Sequence, residues 1–308
     1  MDLILQNSPL TVVDEEKCTG CGLCVKVCPS QTLSMIDGKA RVSGEHSLRC
    51  GHCAAVCPEN AVTVRTMDPG MDEYFSIPGA AGREGREGLP SPESLVALMR
   101  QRRSCRVFKE KPVGGEILED LVKIGITAPT GTNCQPWFFV LLPDRSSVES
   151  LGRRVAAFYR SLNRISSMRF ARGVSRFLPG DPLGMYYREF YETVREGLRE
   201  YDEEGRDRLF HGAAACIMVG SEGWGSTPRE DALLATQNII LAAESMGLGT
   251  CLVGLAVEAI RLDPRLSRRL NLRRGKKIHA VIALGHPGVS YKRAAGRRTP
   301  PIEWLEQV

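Results

Sequence analysis

The sequence lacks three features that would each have fixed a class of protein. It has no run of about 18 uninterrupted apolar residues, the length that crosses a bilayer. Its first residues lack the basic region and long apolar run of a secretory signal. No GxGxxG fingerprint occurs, which argues against a built-in Rossmann domain for nicotinamide. We therefore expect a protein of the reducing cytoplasm that does not insert into membranes.

Charge is unevenly distributed along the 308 residues. Residues 1–75 hold 6 Lys or Arg against 10 Asp or Glu, a net of −4, so the remainder carries +9 to give the total of +5. This asymmetry favours attraction of acidic redox proteins or anionic substrates, a steering effect that salt screens. No recognisable nucleic-acid reader motif accompanies the positive charge, so we expect no nucleic-acid partner.

Seven of the eleven cysteines fall in two blocks that each end in Cys-Pro. The first block, with spacing x2, x2 and x3, is Cys18, Cys21, Cys24 and Cys28. The second block is Cys50, Cys53 and Cys57. This spacing wraps thiolates around iron-sulfur cubanes, whereas disulfides or zinc knuckles are disfavoured by the repeated pattern and the reducing compartment. The sequence therefore predicts a short ferredoxin-like segment that metal ligation stabilises.

The second block is incomplete. On the crossed ligand pattern, one complete 4Fe-4S cluster is held by Cys18, Cys21, Cys24 and Cys57. The other cluster is held by Cys28, Cys50 and Cys53, with a vacant corner. A full second block would place a cysteine at position 47, where Ser47 follows His46. Three outcomes are open: Ser47 or His46 fills the corner, the cluster is a 3Fe-4S form, or the second site is lost. We expect a second cluster, because three of its thiolates are present.

The chain is long enough for a second and larger core. Residues 76–90 are rich in glycine, proline and mixed charge, and such a stretch cannot build a core. We therefore expect a ferredoxin-like iron-sulfur domain over 1–75, a linker over 76–90 and a larger domain over 91–308. A helix is predicted to begin there, with Ser91 as N-cap and Pro92 in the first turn.

Several motifs together resemble the FMN-dependent nitroreductase superfamily, in particular its subgroup with an N-terminal two-cluster ferredoxin domain. They are the arginine-rich segment 102–106, the segment 128–137, a central strand over 210–219, a dimer helix and flavin loop over 231–254, and a closing strand over 281–287. The resemblance implies an α+β fold, in which a ferredoxin-like iron-sulfur domain precedes a nitroreductase-like α/β sandwich. It also implies a mainly antiparallel sheet wrapped by helices, and a homodimer with one FMN near each interface.

The resemblance also implies a set of FMN-binding residues. They are Arg102, Arg103, Ser104, Arg106, Thr132, Asn133, Gln135, Val253, Gly254, Leu255, Arg297 and Arg298. Arginine forks suit a phosphate dianion, with a solvated basic face as the alternative. Asn133 and Gln135 offer amides to the edge of an isoalloxazine ring, with an Asx turn as the alternative.

Two segments of the larger domain carry further expectations. Residues 227–243 begin with a Thr-Pro-Arg-Glu capping box and are apolar nearly all round, so they predict a helix buried on every side. Residues 151–210 are predicted to form a lid-like helical insertion, and 151–179 contain seven arginines and no acid. This face could recognise an anionic substrate or an acidic donor, or it could be solvated.

By this resemblance, a reduced donor passes electrons to the clusters, the clusters pass them to FMN, and FMN reduces an electron-poor acceptor such as a nitroaromatic, quinone or enone. No catalytic protein residue is identified, because the cofactor carries the chemistry. Expected partners are an acidic donor such as ferredoxin and a small organic acceptor, although NADH or NADPH could still dock over the flavin. The alternative is an electron-transfer or redox-sensing flavoprotein whose acceptor is another protein. A pocket closed by 151–210 would favour the enzyme.

Overall fold

The N-terminal part of the chain is built from two short antiparallel sheets. The computed structural model describes residues 10–79 and 88–305. The strands are β1 (Thr11–Val13), β2 (Leu33–Ile36), β3 (Lys39–Val42) and β4 (Val62–Val64), and the helices are α1 (Leu23–Lys26) and α2 (His52–Ala55). Strand β1 pairs with β4, and β2 pairs with β3. The few apolar side chains between these elements form a small core that includes Leu33, Ala40 and Val62.

The larger part is a four-stranded sheet with helices on both faces. Its strands are β5 (Trp137–Leu142), β6 (Ala215–Ser221), β7 (Gly249–Leu252) and β8 (Lys277–Gly285). Its helices are α3 (Pro92–Gln101), α4 (Gly115–Gly125), α5 (Arg145–Ser167), α6 (Arg169–Ser175), α7 (Pro182–Glu189), α8 (Tyr191–Glu204), α9 (Pro228–Ser245), α10 (Gly254–Leu262) and α11 (Pro264–Arg269). The strand order is β5-β6-β8-β7, and every pair is antiparallel. The predicted α+β fold with an antiparallel sheet is confirmed.

Strand β6 shows why the sheet needs two helical layers. All seven of its residues are buried, which is expected only when both faces of a strand are covered. Cys216 and Met218 join the core that α5 and α10 cover, whereas Ile217 and Val219 join the core under α4 and α9.

No helix in the described part of the chain has the length and apolar character needed to span a bilayer.

The local signals for helix ends and strand starts were partly right. Helix α3 begins as predicted, because the Ser91 hydroxyl accepts the amide of Ser94 at 3.2 Å. The central strand predicted from residue 210 was placed too early. It begins at Ala215, after a turn in which His211 and Gly212 both have positive φ, because residues in that conformation cannot continue a strand.

Helix α9 bears on two expectations. The capping box was wrong: Thr227 makes no side-chain cap, and its hydroxyl donates instead to the Asp231 carboxylate at 3.0 Å. Burial on every side, expected for a helix at the centre of a dimer or beneath a cofactor, is not reached within one chain, since Leu233 and Leu234 are 41% and 46% exposed. Their burial in a dimer stays a prediction. This apolar face stays exposed because no other element of the described chain covers it.

The two parts of the chain are joined at helix α4. Asp120, fully buried, accepts the amides of Phe75 at 3.1 Å and Ser76 at 2.6 Å and also the Ser76 hydroxyl. Lys123 donates to the carbonyl of Glu73 at 2.6 Å. The start of the predicted linker is thus fixed to the larger part, while residues 80–87 of that linker lie outside the described residues.

The segment predicted as a lid is helical, as expected. Its first helix, α5, begins before residue 151 and belongs to the core, with Val148, Leu151 and Val155 buried. Helix α6 and the turn after it are the exposed portion, where Phe170 and Phe177 are 83% and 90% exposed.

Candidate functional site

Four thiols of the N-terminal part line one small cavity. They are Cys18, Cys21, Cys24 and Cys57. Backbone amides donate hydrogen bonds to the sulfur atoms. The amides of Ala40 and Gly20 donate to Cys18, which lowers the pKa of that thiol. The amide of Ala61 donates to the Cys57 sulfur at 3.3 Å. Amides that donate to sulfur stabilise thiolate ligands and tune cluster potentials, so this donor set fits an iron-sulfur cluster.

A second small cavity lies elsewhere in the segment. Cys28, Cys50 and Cys53 line it together with Ser47, whereas His46 is exposed and does not line it. Burial alone would raise the pKa of Cys28, but hydrogen bonds from Thr32 lower it, and the Thr32 amide lies 3.3 Å from the sulfur. The crossed grouping of the cysteines is therefore the arrangement that the structure contains.

The alternatives to clusters find little support in the geometry. All eleven cysteines lie in the described part of the chain, and all are unpaired. Among residues 10–79 and 88–305, no three His, Cys, Asp or Glu side chains close around a position for a single ion. A zinc knuckle needs four ligands about 2.3 Å from one metal, whereas these thiols surround cavities.

The loop before β5 contacts the second cavity directly. Asn133 donates from Nδ2 to the carbonyl oxygens of Arg49 at 2.9 Å and Leu48 at 3.3 Å, and both of those residues line the cavity. Gln135 donates to the Asn133 side-chain oxygen at 3.2 Å. Thr132, Asn133 and Gln135 all have positive φ, a strained conformation that tends to occur at functional sites. The predicted flavin-binding loop therefore contacts the segment of the second cysteine block directly.

Asp231, which the sequence analysis did not single out, holds this loop in place. Its carboxylate is 2% exposed and accepts the amide of Gly131 at 3.1 Å and the Thr227 hydroxyl at 3.0 Å. A Cβ atom at position 131 would lie 2.0 Å from the Ser226 hydroxyl oxygen, so a larger residue there would force the Ser226 side chain to move. The feature of the sequence that could have identified Asp231 is its position as an acidic residue in the first turn of α9, a largely apolar helix.

The predicted phosphate residues lie beside β7. Ser104 forms a parallel bridge with Thr250, and the amide of Cys105 donates to the Thr250 carbonyl at 2.8 Å. Arg103 turns back and donates to the carbonyls of Arg100 and Arg102 at the end of α3, both at 2.7 Å. Within the described chain its Nη2 atom is buried without a hydrogen-bond partner, and an uncompensated buried guanidinium nitrogen is costly. An anion bound here would satisfy it.

The C-terminal arginines are not joined to this group within the described chain. Arg297 and Arg298 are exposed, and the hydrogen bond of Arg297 goes to the carbonyl of Gly296 at 3.0 Å. Their role in a phosphate clamp stays a prediction.

The segment 253–255 forms the N-terminus of α10. Val253 supplies no side-chain cap to this helix, so the first amides, of Gly254 and Leu255, point outward without a capping partner inside the described chain. A side chain at position 254 would meet nothing within 4 Å. Tyr159 donates its hydroxyl to the Leu255 carbonyl at 2.9 Å, and burial raises the pKa of this phenol. The sequence analysis did not identify Tyr159, which lies in α5. Its hydrogen bond holds Leu255, a predicted flavin-binding residue, against that helix.

A large open cleft runs from this segment to the predicted lid. Arg106, Tyr159, His211 and Leu255 line it, and the walls are α5 and α8. Burial lowers the pKa of His211 and the nearby Arg106 charge adds to this, although Asp207 opposes it. The imidazole is therefore neutral at neutral pH.

One chain holds the two halves of the predicted flavin site at opposite corners of the sheet. Asn133 precedes β5, at the end of the sheet where β8 begins. Ser104 bridges Thr250 in β7, near the end where β8 terminates. Three strand spacings of about 4.8 Å separate the two edges by roughly 14 Å, and the length of β8 adds roughly 23 Å along the strands. The sequence analysis assigned both halves to one flavin site, which a single chain does not assemble.

The fold and these sites define a two-part redox protein, in which a cysteine-rich cluster segment is attached to a helix-covered antiparallel sheet. The chain belongs to the nitroreductase family. The model described as "Nitroreductase family" matches residues 99–286, and the model described as "4Fe-4S binding domain" matches residues 11–34. The family resemblance predicted from the sequence is confirmed, as is one 4Fe-4S domain around the first cysteine block.

Relatives and solved structures agree with this assignment. The chain is 28% identical over 225 residues to an oxygen-insensitive NADPH nitroreductase of Helicobacter acinonychis, covering 69% of this chain and 97% of that protein. It is 26% identical to a 4-nitrobenzoate reductase of a Nocardioides species, covering 68% and 87%. A crystal structure of an FMN-bound nitroreductase from Bacteroides fragilis matches with a TM-score of 0.52 at 18% identity, covering 69% and 98%, and shows the shared fold.

Proposed function

We propose that this chain is an iron-sulfur flavoprotein oxidoreductase that takes electrons from a low-potential donor such as ferredoxin and delivers them to an electron-poor organic acceptor. Nitroaromatics, quinones and enones are the acceptor classes. When bound, the clusters supply one-electron transfer and FMN supplies the step from one-electron to two-electron chemistry. The observation that carries the proposal is the contact of Asn133 with Leu48 and Arg49, because it joins the second cysteine cavity to the predicted flavin loop.

The residues assigned to each cofactor follow from the geometry above. The first cluster would be held by Cys18, Cys21, Cys24 and Cys57. A second cluster would be held by Cys28, Cys50 and Cys53. For FMN, Arg102, Ser104 and Arg106 would neutralise the phosphate, and the outward amides of Gly254 and Leu255 would donate to the ring.

The separation of the two halves of the predicted flavin site supports a homodimer. The phosphate residues beside β7 and the Asn133 loop before β5 lie further apart than one FMN molecule is long. Pairing two chains through the exposed face of α9, with Leu233 and Leu234, would bring the Asn133 loop of one chain to the phosphate residues of the other. Each cluster segment would then serve the flavin held by the phosphate residues of its partner.

The cleft favours an enzyme over a protein-to-protein carrier. Its walls come from α5 and α8, and it opens at Leu255 and Arg106, where the flavin is proposed to lie. A carrier needs a flat, open edge for a protein partner, whereas a concave cleft admits a small molecule. The names of the two curated relatives, both nitro-compound reductases, support an aromatic nitro acceptor for this chain.

The electron donor is the sharpest test of the proposed function. The full chain is reconstituted anaerobically with iron, sulfide and FMN, and bleaching of the flavin absorbance is followed after mixing with a reduced low-potential ferredoxin, NADH or NADPH. We expect ferredoxin to reduce the flavin fastest. If a nicotinamide reduces the flavin equally fast with and without clusters, the cluster segment is not the entry route.

Replacing Asn133 tests the contact that carries the proposal. Asn133→Ala removes two hydrogen bonds to the loop of the second cavity, a loss of about 1 kcal/mol or more. We expect ferredoxin-driven flavin reduction to slow by about threefold to tenfold. Asn238→Ala is the matched control, because that amide donates to the Thr127 hydroxyl, outside the candidate site. An unchanged rate at equal FMN content would remove this contact from the electron path.

A further inference from the structure

The cluster segment contains an internal repeat with an offset of 29 residues. Helices α1 and α2 each span four residues, and each follows a glycine with φ of 73°, Gly22 and Gly51. The repeat extends to the hydrogen bonds. Thr32 donates its amide to Cys28 at 3.3 Å, and Ala61 donates its amide to Cys57 at 3.3 Å. The two halves therefore present their ligand atoms in the same backbone frame.

Within this repeat, Ser47 stands where Cys18 stands in the first half. The amide two residues further on, that of Gly20, donates to the Cys18 sulfur. The amide two residues after Ser47, that of Arg49, donates to Ser47 Oγ at 3.1 Å. Both donors have positive φ, 77° at Gly20 and 55° at Arg49. The serine oxygen thus occupies the ligand position of the motif and receives the same backbone hydrogen bond.

Ser47 and its neighbour His46 differ in their surroundings. Ser47 is half-buried and lines the second cavity, which is nearly as large as the first. His46 is exposed and does not line the cavity, and its backbone carbonyl accepts the Thr32 hydroxyl at 2.6 Å. The His46 backbone is thereby held against Thr32, whereas the His46 imidazole is not among the groups that line the cavity.

We propose that Ser47 Oγ is the protein ligand at the fourth corner of the second cluster, completing a four-iron site with Cys28, Cys50 and Cys53. This inference rests on the second cluster of the proposed function. On ligation, the hydroxyl gives its proton to solvent, an Fe–O bond forms, and the water that filled that corner leaves. No change of oxidation state is needed.

The oxygen ligand has a consequence for the electron path. Oxygen is a harder donor than sulfur and favours ferric iron, so Ser47 lowers the reduction potential of this cluster relative to one held by four thiolates. The neighbouring residues Leu48 and Arg49 contact Asn133. The more strongly reducing cluster is therefore the one beside the flavin loop.

The test uses the full chain, reconstituted anaerobically as the wild type and as Ser47→Ala, Ser47→Cys and His46→Ala. Ser34→Ala is the matched control, because the Ser34 hydroxyl in β2 bonds with the Ser43 hydroxyl at 2.6 Å, and neither residue is among those that line the two cavities. Iron and sulfide are counted per chain, and electron paramagnetic resonance is recorded in oxidised and reduced states at controlled potentials. These readouts do not depend on electron delivery to FMN, so they are separate from the donor test of the proposed function.

We expect Ser47→Ala to lose about one iron per chain and to show a three-iron signal on oxidation. Ser47→Cys should keep all its iron and raise the potential of one cluster, while His46→Ala and Ser34→Ala should match the wild type. Wild-type iron content and spectra in Ser47→Ala would overturn the proposal. So would a wild-type protein whose second site holds three irons or none, or a loss of iron in His46→Ala alone.

Discussion

Replacement of Cys18, Cys21 and Cys24 by alanine is expected to abolish ferredoxin-driven reduction of the flavin. These thiols line the first cavity, and changes even to outer partners of metal ligands cost about 10-fold to 100-fold. Loss of three ligands should therefore slow electron entry by at least about 100-fold. The measurement is flavin bleaching after anaerobic mixing with reduced ferredoxin.

The control for this variant is chemical reduction. Dithionite reaches bound flavin directly, so the variant should bleach completely with dithionite while failing with ferredoxin. FMN content should equal that of the wild type, because the phosphate residues beside β7 belong to the larger part of the chain. Retention of more than about one tenth of the ferredoxin-driven rate, a loss smaller than ligand removal should cause, would contradict the role given to the first cluster.

Asp120→Ala is expected to uncouple the cluster segment from the sheet domain. The carboxylate accepts the amides of Phe75 and Ser76 together with the Ser76 hydroxyl. Hydrogen bonds to a charged group contribute about 1.5 to 3 kcal/mol each, so loss of all three should lower the free energy of unfolding by about 4 kcal/mol or more. Chemical denaturation and limited proteolysis near residue 76 measure the effect. Glu119→Ala, an exposed neighbour on the same helix, should leave both unchanged.

The same carboxylate makes the junction sensitive to acid. Burial alone would raise the pKa of Asp120, but the hydrogen bonds from Ser76 and Phe75 hold it below its ordinary value. A lowered folded pKa stabilises the junction above the unfolded pKa of about 4, and this contribution is lost as pH falls through the folded pKa. Wild-type stability should therefore drop more steeply in this range than that of Asp120→Ala. Parallel acid titrations of the two proteins would contradict this account.

Local sequence signals predicted local structure well. The Ser91 cap and both cysteine blocks follow from residues within a few positions of one another, and the structure contains each of them. Thr227 failed as a cap because a residue four positions on, Asp231, offered its hydroxyl a buried carboxylate. The roles of Asp120 and Tyr159 could not be predicted from neighbouring residues, because each bonds to a backbone group more than 40 positions away in the sequence.

The sequence by itself determined the family and indicated the candidate cluster ligands, because cubane ligation requires a fixed spacing of cysteines that is visible in one dimension. Only the tertiary structure decided where those ligands lie relative to the rest of the chain. The strand order β5-β6-β8-β7 separates Asn133 from Ser104, and burial of Asp120 and Asp231 fixes the segments on either side. Such contacts depend on which distant residues pack together, and neither spacing nor composition specifies that.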